Sequence, residues 1–190
     1  ICLSHCEAYS QVSTTKEKTT LFIKKCKELI LKKCRFINDK DAQLLGHKEF
    51  IRKLARRKSK DPRVKLFTTN YDTCFEDAAG LLGITVIDGF SFSMPRIYDA
   101  RFFDMDIVRR NTSSSSTNTH YLEGVYQLYK LHGSTNWSRR NTNSYIIEQA
   151  ENVTAENSCM IFPAKGKYQQ SYIQPHLELI ARFSQSLREP

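Results

Sequence analysis

Two periods of apolar and polar residues run along this chain, and their alternation predicts its elements. From Thr20 onward, Phe22, Cys26, Leu29, Ile30 and Ile37 recur at helical spacing with lysines between them, which predicts an amphipathic helix. Asn38 to Asp41 carry turn and capping chemistry. Ala42, Leu44, Leu45, Ile51, Leu54 and Ala55 then predict a second helix, ended by Ser59-Lys60-Asp61-Pro62, because proline disfavours helical backbone in the residue before it. Val64, Leu66 and Phe67 open a short run of strand formers. The run turns polar at Thr68-Thr69-Asn70-Tyr71-Asp72, where Asp72 can accept a hydrogen bond from the free N–H groups that begin a helix. That helix carries Phe75, Ala78, Ala79 and Leu82 on one side and stops at Gly83, and Ile84 to Ile87 read as the next strand.

The second half is less regular. Phe90 to Arg110 is rich in Phe, Met and Arg without a clear period, and Asn111 to Asn118, with four consecutive serines, reads as an exposed loop. Tyr126 to Leu131 is another strand-like run, and it delivers His132-Gly133-Ser134-Thr135-Asn136-Trp137. Ser138 to Ser158 is polar and predicts loop with a short hairpin, and Met160 to Pro163 a further strand or the approach to one. Tyr172 to Leu187 predicts a last helix with Leu177, Ile180, Phe183 and Leu187 on one face. Asn70 and His132 thus both stand at the carboxyl ends of strands. Open α/β sheets bind their ligands there.

Composition narrows the class. The chain has 190 residues, 40% hydrophobic and 11% aromatic, which suits one globular domain. No apolar run approaches the ~20 residues of a membrane span, and no signal peptide opens the chain. Ile1 stands where a methionine would begin a complete chain, so a fragment or trimmed product is expected. The net charge of +9 is local: residues 16–65 hold 18 Lys/Arg against 6 Asp/Glu, with blocks at Lys24-Lys25, Lys32-Lys33 and Arg56-Arg57-Lys58. Such helical faces can contact nucleic acid phosphates or an acidic protein, or simply be solvated. The six cysteines, at 2, 6, 26, 34, 74 and 159, form no Cys-x-x-Cys pair, and Cys2, His5 and Cys6 fall short of a four-ligand zinc site. Reduced cytoplasmic thiols are the expectation.

Thr-Thr-Asn-Tyr-Asp at 68–72 and Lys-Leu-His-Gly-Ser at 130–134, in this order and each closing a strand-like run, resemble the paired signatures of sirtuin-like NAD-consuming domains. The resemblance spans roughly residues 64–168. It is closer to the bacterial branch that hydrolyses NAD in anti-phage defence than to the protein deacetylases, and Trp137 fits that branch too. It implies an α/β fold with a Rossmann-like parallel sheet flanked by helices. The family's Gly-Ala-Gly-x-Ser loop is nowhere in residues 1–63, and a Gly-rich, Ser-containing strand end after the last helix is also missing. The expectation is therefore the central part of a single such domain, incomplete at both ends in this chain.

The resemblance also implies chemistry. NAD would be the substrate, with Asn70 and His132 catalytic and Thr69, Asp72 and Ser134 around the bound NAD. An amide can fix a ribose or a water near the reacting carbon, and a histidine, titrating near neutral pH, can serve as general base. On the residues alone the plainer readings come first: Asn70 as a turn residue, His132 as a structural histidine and Asp72 as a helix cap. Zinc is not expected, because only Cys159 falls where deacetylase sirtuins carry a four-cysteine module. The implied partners are further copies of the chain and a protein such as a DNA-translocating ATPase or an invader sensor. The alternative is a non-enzymatic basic module that binds nucleic acid or an acidic protein through residues 16–65. A protein deacylase is third.

Overall fold

A computed structural model describes residues 16–37, 43–58, 61–110, 119–141, 145–163 and 167–188. The expected turn at 38–41, the serine-rich stretch at 111–118 and the Cys2, His5 and Cys6 group lie outside the described residues. In chain order the elements are α1 (Lys16–Cys34), α2 (Leu45–Ala55), β1 (Val64–Thr68), α3 (Cys74–Leu82) and β2 (Thr85–Ile87). After a 3-10 turn at Ala100–Asp104 come β3 (Val108–Arg110), β4 (Thr119–Tyr121), β5 (Val125–Lys130), β6 (Gly133–Arg139), β7 (Ile147–Gln149) and β8 (Ser158–Met160). Two helices, α4 (Lys167–Ser171) and α5 (His176–Ser186), close the described chain.

The central sheet is parallel, in the order β1-β5-β2, and helices flank it. This is the α/β, Rossmann-like arrangement that the resemblance implied. The strand–helix–strand unit β1-α3-β2 is present, but its two strands are not neighbours: β5 lies between them. Being central, β5 is buried on both faces, and its side chains divide by parity. Tyr126 and Leu128 pack with Leu44, Ile51, Ala78 and Ala79 on the side of α2 and α3. Val125, Tyr129 and Leu131 pack on the other side with Phe90, Phe103, Trp137 and Leu179. A third cluster joins Ile23 and Leu31 of α1 to Val153, Met160 and Phe162.

Helix α3 behaves as its residues dictate. Cys74, Ala78 and Ala79 are buried, and Gly83 ends the helix in the left-handed conformation at φ 64°, which glycine adopts without steric cost. Two expectations need correction and one is extended. In α1 the inward stripe is Ile23, Cys26, Ile30 and Leu31, while Phe22 and Leu29 face outward, so the helix is rotated from the predicted face. The expected short hairpin in 138–158 is the antiparallel β6–β7 pair, and β8 adds a third strand on the other side of β6. The last helix is broken at Pro175, so α5 begins only at His176. Its buried face is set by Leu179, and Leu177 and Leu187 are exposed. Between α4 and α5 residues 172–175 form turns and a bend, so no continuous stripe runs through them.

Candidate functional site

Strand register brings the two motifs together. In the parallel pair Val64 lies opposite Tyr126 and Thr68 opposite Lys130. The ladder extends one step further, with Leu131 N–H donating to the Thr68 carbonyl at 2.9 Å. Asn70 and His132 are each two residues past the Thr68–Lys130 pair. Neighbouring strands are spaced about 4.8 Å apart, so the two turns leave the sheet next to each other at its carboxyl edge. That edge is where a parallel sheet offers a ligand crevice.

The turn that carries Asn70 is held at several atoms. Asn70 N–H donates to Thr68 Oγ1 at 3.1 Å, and Thr69 and Asn70 are both exposed. The Tyr71 carbonyl accepts from Thr135 N–H at 2.9 Å and from Ser134 Oγ at 3.2 Å. The Tyr71 hydroxyl donates to the Ile161 carbonyl at 2.5 Å. Asp72, half-buried, accepts from Cys74 N–H through Oδ1 at 3.1 Å, the capping role its type suggests. The residue directly before the helix is Thr73, whose hydroxyl donates to Asp77 Oδ2 at 2.7 Å. Burial, with Asp72 beside it, pushes the Cys74 thiol up to about 12, so it stays protonated.

His132 is half-buried, with its ring centroid 6.3 Å from that of Tyr71 and tilted by 35°. Its carbonyl accepts from Ile161 N–H at 3.0 Å. The following glycine is a steric necessity. Gly133 has φ 80°, and a Cβ there would lie 2.0 Å from the Cys159 carbonyl oxygen and 3.2 Å from His176 Cε1. Ser134 is 0% exposed, with its hydroxyl committed to the Tyr71 carbonyl, so it acts here through the shape of the turn. Trp137 packs against Phe90 and Tyr98, at 5.2 and 5.8 Å between centroids, as a core residue.

Several participants escaped sequence reasoning. Lys130 and His176 are almost fully buried beside the two motif turns. His176 Nδ1–H donates to the Leu131 carbonyl at 3.1 Å, which leaves Nε2 facing Cys159 Sγ at 3.9 Å. Burial lowers the His176 pKa to about 4, so it is neutral at pH 7. Arg35, just past α1, donates to the carbonyls of Thr135 at 2.6 Å and Val153 at 3.3 Å. A buried lysine inside an apolar strand run was the one signal available. The others depend on contacts between 17 and 118 positions apart.

A cleft of about 440 Å³ opens next to these turns, and Arg35, Thr73, Asp77, Thr135, Asn136 and Gln149 line part of it. Neither Asn70 nor His132 is in its wall. Among the described residues no group of three or more His, Cys, Asp or Glu is placed to hold a metal ion, and no helix is long and apolar enough to cross a membrane.

A family model described as a SIR2-like domain matches residues 64–188, which takes in both motif turns, the parallel sheet and α5. Comparison with curated proteins gives no match.

Proposed function

Because the chain belongs to the SIR2-like family, we propose that it hydrolyses NAD to nicotinamide and ADP-ribose. What supports the reading is the register of β1 and β5, with Asn70 and His132 each two residues past the Thr68–Lys130 pair. Family membership carries NAD-related chemistry; the hydrolytic outcome is our reading. Heterolysis of the bond from the ribose C1′ to the nicotinamide nitrogen sends the bonding pair to nicotinamide. Positive charge then builds on the ribose, as in glycoside cleavage. The Asn70 amide, at an exposed turn, holds the ribose or the incoming water near C1′. Water adds to C1′ and gives its proton to His132, which passes it to solvent. Thr69 and Asp72 flank the bound NAD from the same turn.

The Thr-Thr-Asn-Tyr-Asp form of the first motif supports a narrower role, as an NAD-depleting effector of anti-phage defence working in an assembly with copies of itself. The exposed basic residues Arg56, Arg57 and Lys58 offer a surface for an acidic partner. The deciding experiment incubates the full-length protein with NAD and follows nicotinamide release. Asn70→Ala and His132→Ala should each reduce the rate by ~10²-fold or more while leaving thermal unfolding in place. Equal release by the wild type and both variants overturns the assignment.

A further inference from the structure

Lys130 ends β5, and its side chain is 2% exposed. An ammonium group withdrawn from water needs partners, and lysine is almost never buried without them. Both partners of Lys130 lie on the segment between β1 and the first turn of α3. Its Nζ donates to the backbone carbonyl of Asp72 and pairs with Glu76 Oε1 at 3.0 Å. Glu76 is itself largely enclosed, and its Oε2 is buried without a hydrogen-bond partner among the described residues.

The position of these contacts matters more than their number. The Asp72 carbonyl lies two residues after Asn70, and Lys130 lies two residues before His132. Ser134, Thr135 and Ile161 fix Tyr71 from the side of β6 and the chain after β8. Lys130 holds the next carbonyl from β5 itself. We propose that Lys130 is a positioning residue for the Asn70–His132 pair, a cation that locks the turn at 69–73 onto the strand that presents His132. Glu76 pairs with that cation within the sheet. A hydrogen bond from a charged donor is shorter and stronger than a neutral one, so the carbonyl of Asp72 is held more tightly than ordinary turn contacts would hold it. The inference rests on the NAD-hydrolase reading only for what the pair does; the coupling of the two turns stands apart from it.

The test uses three variants of the full-length protein. Lys130→Met with Glu76→Met removes both charges together and leaves no lone ion in the core. Lys130→Gln keeps a polar group that stops short of the Asp72 carbonyl. Glu76→Gln leaves Lys130 its contact with that carbonyl. Displacing a catalytic group by about 1 Å costs up to ~10²-fold, so kcat for NAD hydrolysis should fall about 10- to 100-fold in both Lys130 variants, with KM little changed. Glu76→Gln should keep most of kcat. Backbone amide resonances of residues 69–73 and the His132 ring resonances should shift in the Lys130 variants whether or not NAD is cleaved. If the wild type cleaves no NAD, the functional reading fails and the resonances alone decide on Lys130. A folded Lys130 variant with wild-type kcat and unshifted resonances overturns the proposal. So does loss of folding in every Lys130 variant, because the residue would then hold the fold and not the pair.

Discussion

Replacing His176 by glutamine should remove a pH-dependent part of the stability of this protein. His176 sits at the start of α5, 2% exposed, with Nδ1–H on the Leu131 carbonyl and Nε2 toward Cys159. Burial brings its pKa from 6.5 to about 4, against the opposing pull of the Leu131 carbonyl, with smaller contributions from nearby Arg139 and His132. The unfolded chain therefore takes up a proton at a higher pH than the folded one. The sign follows: stability from this group is fully present above pH 6.5, and falls as the pH drops toward 4. At about 1.4 kcal/mol per unit, the difference comes to about 3 kcal/mol. Glutamine can still donate to the Leu131 carbonyl and does not titrate. Urea unfolding followed by circular dichroism, for wild type and variant from about pH 7.5 down to about pH 4, measures the quantity wanted, since other groups cancel in the difference. Glu76, whose carboxyl burial raises, is one of the groups that must cancel. The stability advantage of the wild type should shrink by about 3 kcal/mol across that range. Parallel pH profiles would refute the reasoning, and with it the view that His176 is kept neutral beneath the His132 turn.

Two further substitutions probe the same turn from its neighbours. Gly133→Ala forces a left-handed backbone on a residue with a Cβ and drives that carbon into the Cys159 carbonyl, so it should cost about 2–6 kcal/mol, read from denaturant midpoints. A loss under 1 kcal/mol, on the order of a surface substitution, would mean the turn relaxes freely. Tyr71→Phe leaves the Ile161 carbonyl without its hydroxyl donor and should cost about 1–3 kcal/mol, with turnover of NAD falling because the Asn70 turn loosens. Unaltered melting and turnover would assign the tyrosine no part in holding the turn.

The parts of this fold that were legible in the sequence are those whose determinants are local. Val64 to Phe67, the helix after Asp72, its glycine stop and the strand before His132 each carry their signal within ten residues, and each is present. So are the two motif turns, because a strand end followed by polar capping residues is written in adjacent positions. The failures come from long-range pairing. Strand β6 was hidden because Ser134, Thr135, Asn136 and Ser138 give no apolar alternation, and only pairing with β7 and β8 makes it a strand. The faces of α1 and α5 were misjudged for a related reason. Both helices carry more apolar residues than one stripe can hold, and the neighbouring layers decide which are covered. Lys130 illustrates the limit most clearly: its type and its apolar flanks mark it as unusual, yet Glu76 lies 54 positions away.

These observations converge on β5. Its polar side chains all have partners, most of them in the layers on either side. Tyr126 Oη donates to the Phe75 carbonyl at 3.0 Å and Lys130 to Asp72, both toward α3. On the opposite face Tyr129 Oη donates to Gln127 Oε1 at 2.8 Å, and Gln127 Nε2 donates to the Phe103 carbonyl at 2.7 Å. A strand held in this way cannot slide by one residue without exchanging the two faces and breaking the bonds to Phe75, Asp72 and Phe103. The register that aligns Asn70 with His132 is therefore set by buried polar contacts along the strand as much as by the backbone ladder. Slippage would misalign the two motif residues and strand buried donors at the same time. The geometry of the site and the stability of the sheet are thus tied to the same side chains. For that reason, activity lost through a β5 substitution should be assigned to chemistry only where the register is known to be intact.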